Sequence, residues 1–465
     1  MRKYIIIGLA LVMGSLTSCS LDPTLADSHE IDMEDDVSMR QFIDGAYNTM
    51  ARSEYMGRNY IIAGEIRADN VYSNGNSGRF TLMSAMNLQS TDGDVTDIFR
   101  YAYATISNPN VVIATDLSTV EGSEANKAHI LGEAYAIRAM AHFDLLRLYG
   151  QQYIDNGSNL GITYAKEYKA EDLQIPRSSV EDNKIDIYAD IEKAIDYMLQ
   201  GESSEWANNK TNFTLDAVLA LKTRVGTYFK EYDIVEDAAS QLEGKYEITP
   251  ANKLVEYWSD SNPGAASIFE LAQSTTDNAG INGLAYIYRG DSYGDVQAFN
   301  NLIEDAEFDS DDVRASEDMI GYESEDSNKL RNLGKYPSGG DRLGSDNIKL
   351  FRYEEVVLNY AEAVLETNPN KALELLNDLA ENRNASEYDA SDVTLENIIK
   401  ERRKELMFEG FRFHDLARHG LDIPEVDPNT SNNHGLVPAG DNRFAFPIPR
   451  REINTNKSVE QNPGY

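Results

Sequence analysis

Four carboxylates crowd one short stretch of this 465-residue chain: Glu401, Glu405 and Glu409 recur at four-residue steps in IIKERRKELMFEGFRFHDLARHG (398–420), and Asp415 follows them. Four-residue steps place side chains on one helix face, and paired carboxylates are the equipment of a glycosidase, one as general acid and one as base or nucleophile. Arg402, Arg403, Lys404, Arg412 and Arg418 are interleaved with them, so charge-paired helix packing is the stronger expectation. His414 and His419 are five apart, on different helix faces, which is a poor start for a metal site. The acidic run DSDDVRASEDMI (309–320) opens like a calcium loop, yet Arg314 stands where the turn glycine belongs and Ile320 where the bidentate glutamate belongs. No GxxxxGK[ST], GxGxxG or HExxH spacing occurs, so phosphate-loop, dinucleotide and zincin chemistries lack their key residues. No cofactor is expected, and a structural calcium is left unassigned.

The chain has a single cysteine, Cys19. Upstream lie Arg2, Lys3 and a mostly apolar run from Tyr4 to Met13, the layout of an export signal. Leu16-Thr17-Ser18-Cys19 is similar to the lipobox of bacterial lipoproteins, whose cysteine is acylated and heads the mature chain. Residues 1–18 are therefore expected to be a lipoprotein signal peptide, and 19–36 a lipidated, acidic, flexible tether. No other segment approaches the roughly 20 apolar residues of a membrane helix, and no intramolecular disulfide can form. A formal charge of −36, from 42 basic and 78 acidic residues, repels polyanions and makes nucleic acid a poor partner.

The elements that must position any site are mostly helices. AHILGEAYAIRAMAHFDLLRLYG (128–150) carries apolar residues at helical spacing with Gly150 as a stop, and IDIYADIEKAIDYML (185–199) repeats the pattern after a Ser178-x-x-Glu181 capping box. Helical hairpins are predicted over 214–244, turning near Glu231-Tyr232-Asp233, and over 351–383, with Asn368 as N-cap and Pro369 in the first turn. Paired helices of this length predict an all-α fold: a tetratricopeptide-like helical-hairpin superhelix with irregular loops and minor β content. Residues 60–100 and 259–350 are instead rich in Gly, Asn, Ser, Asp and Tyr, with short strand-like pieces such as Ser267-Ile268-Phe269-Glu270-Leu271.

GEAYAIRAMAHFDLLRLYG (132–150), IPRSSVEDNKIDIYADIEKAI (175–195), LALKTRVGTYFKEY (219–232), FRYEEVVLNYAEAVL (351–365), ERRKELMFEGFRFHDLARHG (401–420) and FPIPRREINTNKSVEQNPGY (446–465), following the lipobox in that order, resemble the SusD/RagB family of Bacteroidetes surface lipoproteins. The resemblance implies one compact body, with an N-terminal region over 37–250 and a C-terminal region over 251–465, built on four tetratricopeptide-like units. It also implies non-catalytic capture of an oligosaccharide, or in some relatives a peptide, at the cell surface. The outer-membrane lipid anchor at Cys19 would hold the protein over a SusC-like TonB-dependent transporter. A lipid-anchored scaffold that binds only proteins is the reading from another class.

Sugars are met by aromatic faces and by planar amide, carboxylate and guanidinium groups. RADNVYSNGNSGRF (67–80) offers Asp69, Asn70, Tyr72, Arg79 and Phe80, and LAYIYRGDSYGDVQAFN (284–300) offers Tyr286, Tyr288 and Tyr293, with Arg289 and Asp291 beside them. Asp69 and Asn70 equally suit a structural turn. Tyr286 and Tyr288 are expected on one face of a strand, as core or as ligand platform. Trp258 reads as core, and Trp206 as a loop residue free to stack on a sugar. Arg67, Arg79 and Arg289 could form a basic patch that offsets the acidity.

Overall fold

The computed structural model describes residues 33–465 apart from 154, 169–173, 291–292, 325–326 and 339–343. Cys19, the signal segment and most of the tether lie outside the described residues.

The described residues open with α1 (Asp36–Met50), α2 (Asn59–Ile66), β1 (Val71–Ser73), α3 (Thr81–Ser84), α4 (Gly93–Ala114), α5 (Glu124–Tyr149) and α6 (Val180–Gln200). The hairpin α7 (Leu215–Phe229) and α8 (Tyr232–Ser240) follows, then α9 (Leu254–Ser259), β2 (Ser267–Leu271), α10 (Leu284–Tyr288), β3 (Val296–Ala298), α11 (Leu302–Asp305), β4 (Ile320–Tyr322), β5 (Leu330–Asn332) and β6 (Ile348–Arg352). A helical end comprises α12 (Tyr353–Ala363), α13 (Pro369–Glu381), α14 (Leu395–Leu406), α15 (Arg412–Arg418) and α16 (Arg450–Thr455).

Helix starts follow from side chains that accept the orphan first-turn amides. Ser123, Thr214, Asn368 and Thr394 do this for α5, α7, α13 and α14, with Pro369 entering the first turn of α13 as predicted. At α6 the cap is Ser179, one residue later than the expected Ser178: its Oγ accepts from the Asp182 amide at 3.0 Å. The Ser178 amide is committed to the Ile162 carbonyl at 3.0 Å, and Ser179, in extended conformation, takes the cap.

The long helices pack in succession, α1 on α4, α4 on α5, α5 on α6, α6 on α7, α7 on α8, α8 on α12 and α12 on α13. This is a superhelix of four hairpins, the expected all-α, tetratricopeptide-like scaffold with little β structure. Helix α5 lies at its centre and is buried almost all round, as an interior helix must be. Gly132 lets α6 approach, since a Cβ there would sit 2.9 Å from Met198 Cγ and 3.1 Å from the Ala194 carbonyl.

Two insertions interrupt the superhelix, residues 51–92 between α1 and α4 and 241–352 between α8 and α12, close to the two loop-rich regions set apart in the sequence. They meet: β1 pairs antiparallel with β3, with Val71 opposite Ala298 and Ser73 opposite Val296. Strand β2 pairs antiparallel with β6, and β4 with β5. The β1–β3 pair joins the two insertions, and β5 packs on β3 from within the second.

Candidate ligand-binding site

The loop after β1 is tied to the segment before β3 by side chains that suit tight turns. Asn74 Nδ2 donates to the Gly294 carbonyl at 2.8 Å, and Asn76 Nδ2 to the Tyr293 carbonyl at 2.6 Å. The Ser77 amide and hydroxyl both donate to the Asp295 carboxylate at 2.8 Å. The loop thereby lays the Arg79 guanidinium over the Tyr293 ring, 3.9 Å from its centroid. Arg79 Nη2 donates to Asn282 Oδ1 at 3.1 Å and Nη1 lies 3.6 Å from Asp295 Oδ2. Both partners of this stack are half-buried, a geometry worth about 0.5–1 kcal/mol or more. Tyr72, also half-buried, packs on Phe299 with centroids 5.0 Å apart.

Asn282 also lines a polar cleft of about 610 Å³ that opens between the end of α1, the turn 51–54, the entry to α7 and the loop after β2. Its walls include Asn48, Arg52, Glu54, Gln273 and Asp277. That volume lies within the usual range for ligand sites, and planar amides, carboxylates and a guanidinium are the groups that meet sugar hydroxyls. Tyr322 on β4 belongs to the same assembly and is 53% exposed. Its neighbour Glu323 accepts from Arg331 Nε at 2.6 Å, and Arg331 Nη1 donates to the Gly294 and Val296 carbonyls at 2.8 and 2.9 Å. Sequence reasoning missed Tyr322, because it follows the acidic stretch that was weighed only as a calcium loop.

Arg79 and Tyr293 are thus brought together, with Tyr72 on the strand that pairs with β3, whereas the other sequence candidates lie in the interior. Asp69 is buried and takes both donors of Arg412 at 2.7 Å, with Arg403 alongside. Burial would raise its carboxyl, but Arg412 and Arg403 bring it down to about 2. Asn70 accepts from Arg403 Nε at 2.9 Å and donates to Glu65 at 3.2 Å. Phe80 is buried with φ 59°, under the Arg58 guanidinium. Tyr286 and Tyr288 sit on the short helix α10, not on a strand, and both are buried. Tyr288 donates to the Phe408 carbonyl at 3.1 Å. Trp206 is packed against the core beneath Arg40, and Trp258 is buried as expected.

Asp291 and Ser292 lie outside the described residues. Gly290 to Gly294 has G-x-S-x-G spacing, but it follows helix α10 and precedes strand β3, the reverse of the strand-to-helix order that a hydrolase elbow needs.

The four carboxylates serve the fold: α14 ends at Leu406, so only Glu401 and Glu405 share its face, while Glu409 lies in the turn after it and Asp415 on α15. Glu405 accepts from Arg383 at 2.8 and 2.9 Å and from Arg352 at 2.5 Å, and Arg314 reaches both Glu401 at 2.6 Å and Glu405 at 3.2 Å. Glu409 pairs with Lys335 and Arg352, and Asp415 with Arg402 and Arg418. Burial pushes the carboxyls of Glu405, Glu409 and Asp415 up, but the surrounding cations outweigh it and hold Glu405 well below its ordinary value and Glu409 and Asp415 below theirs. A glycosidase acid needs the opposite shift. In the run 309–320, Asp312 is occupied by Arg314, whose Nη2 donates at 2.7 Å. Among the described residues, no group of three or more His, Cys, Asp or Glu side chains could hold a metal ion, and no helix is long and apolar enough to cross a membrane.

This superhelix of hairpins with its two paired insertions shares its fold with SusD superfamily structures. Residues 309–465 match the SusD family model, and residues 25–226 match a model described as starch-binding associating with outer membrane. Two proteins of Formosa agariphila, SusD-like protein P38 and SusD-like protein P2, are each 24% identical to this chain. The first alignment covers 98% of both chains and the second 100% of both. A SusD superfamily protein of Bacteroides thetaiotaomicron superposes with a TM-score of 0.85 at 25% identity, over 92% of this chain and 100% of its own. A Bacteroides vulgatus protein described as sugar-binding gives 0.83 at 27% identity, over 93% and 99%. The chain belongs to the SusD/RagB family.

Proposed function

We propose that this protein is a lipid-anchored, cell-surface binding protein that captures oligosaccharides and delivers them, uncleaved, to a SusC-like TonB-dependent transporter in the outer membrane. The observation that carries the reading is the junction at Asn282, where the Arg79–Tyr293 stack adjoins a polar cleft of about 610 Å³. Sugar rings stack on aromatic faces while their hydroxyls meet amides and carboxylates, and both surfaces lie side by side here. The sugar-binding description of the Bacteroides vulgatus neighbour and the starch-binding, outer-membrane description of the matched N-terminal model support it.

The lipobox at Cys19 supplies the anchor, and the acidic residues after it supply the reach. Affinity electrophoresis of purified residues 20–465 through a panel of polysaccharides tests the capture step. Retardation by at least one polymer is expected, and retardation by none, with binding of a peptide digest in its place, would overturn it. For the anchor, Cys19→Ser is expected to abolish metabolic labelling with palmitate and to release the protein from the membrane fraction.

A further inference from the structure

The charges around the proposed site bear on which oligosaccharides it accepts. Three arginines could have made it basic. Arg67 is fully buried, with its guanidinium 3.6 Å from the Phe413 centroid and 4.3 Å from that of Phe446. Arg79 is held between Tyr293, Asn282 and Asp295. Arg289 donates to the Leu333 carbonyl. Arg58, at the same end of the cleft, is buried and donates to the Asn282 carbonyl at 3.0 Å. The cations of this region are thus engaged by the fold.

Among the described residues, the cleft itself is lined by Asp44, Glu54 and Asp277 against the cation Arg52. Asp44 is met by Arg40 at 2.7 Å, which still leaves the lining with a carboxylate in excess, in a chain that carries −36 overall. Carboxylates only accept hydrogen bonds, and so do the carboxylate and sulfate substituents of acidic sugars, whereas hydroxyls donate. Bringing an anionic sugar into this cleft would set acceptor against acceptor and like charge against like, the arrangement by which interfaces exclude wrong partners.

Resting on the proposed function above, we infer that this site takes uncharged oligosaccharides and discriminates against carboxylated and sulfated ones, with Glu54 and Asp277 as the residues that set the discrimination. The test is affinity electrophoresis of residues 20–465 through pullulan, arabinan and mixed-linkage β-glucan, and through polygalacturonate and dextran sulfate, at about 10 mM and about 500 mM salt. Whichever uncharged polymer retards the protein is also run after partial carboxymethylation.

The expected result is retardation by an uncharged polymer and about tenfold weaker binding of its carboxymethylated form at low salt, with the gap narrowing at high salt as the charges are screened. The double variant Glu54→Gln, Asp277→Asn is expected to narrow the gap at low salt. Equal or stronger retardation by a carboxymethylated polymer, polygalacturonate or dextran sulfate would overturn the discrimination. A gap that the double variant leaves unchanged would overturn its assignment to these two carboxylates. Retardation by no polymer would instead remove the proposed function, and this inference with it.

Discussion

Asp69 sits two residues before β1, close in sequence to Tyr72 of the proposed site, but its surroundings make it a structural residue. It is buried against Arg412 and Arg403. Removing one member of a buried ion pair leaves an uncompensated charge, at a cost of about 3–5 kcal/mol. Asp69→Asn is expected to lower the free energy of urea unfolding by that order, while glycan affinity of the folded protein stays at the wild-type value. The sign of its pH dependence follows from the depressed carboxyl. The stabilisation is fully present above about pH 4, the ordinary Asp range, and is lost as pH falls towards about 2. Acid unfolding of the wild type should therefore carry a component near pH 2–4 that Asp69→Asn lacks. Glu405, gripped by Arg383, Arg352 and Arg314, is expected to behave in the same way: Glu405→Gln should lower the unfolding midpoint, with no loss of ligand binding per folded molecule.

At the scale of elements, helix spacing and caps were legible because each depends on neighbours in sequence. The α7–α8 and α12–α13 hairpins, the Asn368 cap and the Gly150 stop follow from spacing and cap chemistry alone. Asn368→Ala should cost about 1 kcal/mol, as measured by the thermal unfolding midpoint. The shift of the α6 cap from Ser178 to Ser179 depended on a backbone hydrogen bond to Ile162, which no local pattern announces. Tyr286 and Tyr288 have the alternation of a strand, yet α10 is a single helical turn imposed by tertiary packing, and propensity yields to packing in so short a piece. The contact between α2 and the turn before α15 was equally hidden. A Cβ on Gly64 would lie 2.0 Å from the Gly410 carbonyl oxygen, and Gly410 itself has φ +89°. Gly64→Ala is therefore expected to destabilise the protein by at least the 1–3 kcal/mol typical of overpacking, a loss that denaturant titration would register.

For the whole molecule, the two loop-rich insertions could be recognised in the sequence, but their meeting could not, because it joins residues more than 200 positions apart through β1 and β3. That long-range pairing sets the Arg79–Tyr293 stack beside a polar cleft, and β4 with Tyr322 is tied to the same segment through Glu323 and Arg331. The superhelix accounts for most of the core, and the insertions carry the proposed ligand face, a division that leaves the loops free to vary while the scaffold persists. The most direct measurement is isothermal titration of residues 20–465 with an oligosaccharide cut from the polymer that retards them, repeated on Tyr293→Ala, Tyr322→Ala and Trp206→Ala. The account predicts that the two tyrosine variants lose about tenfold or more in affinity, in keeping with the removal of a stacking face, and that Trp206→Ala binds as the wild type does. Wild-type affinity in both tyrosine variants would contradict it and place the ligand elsewhere on the molecule.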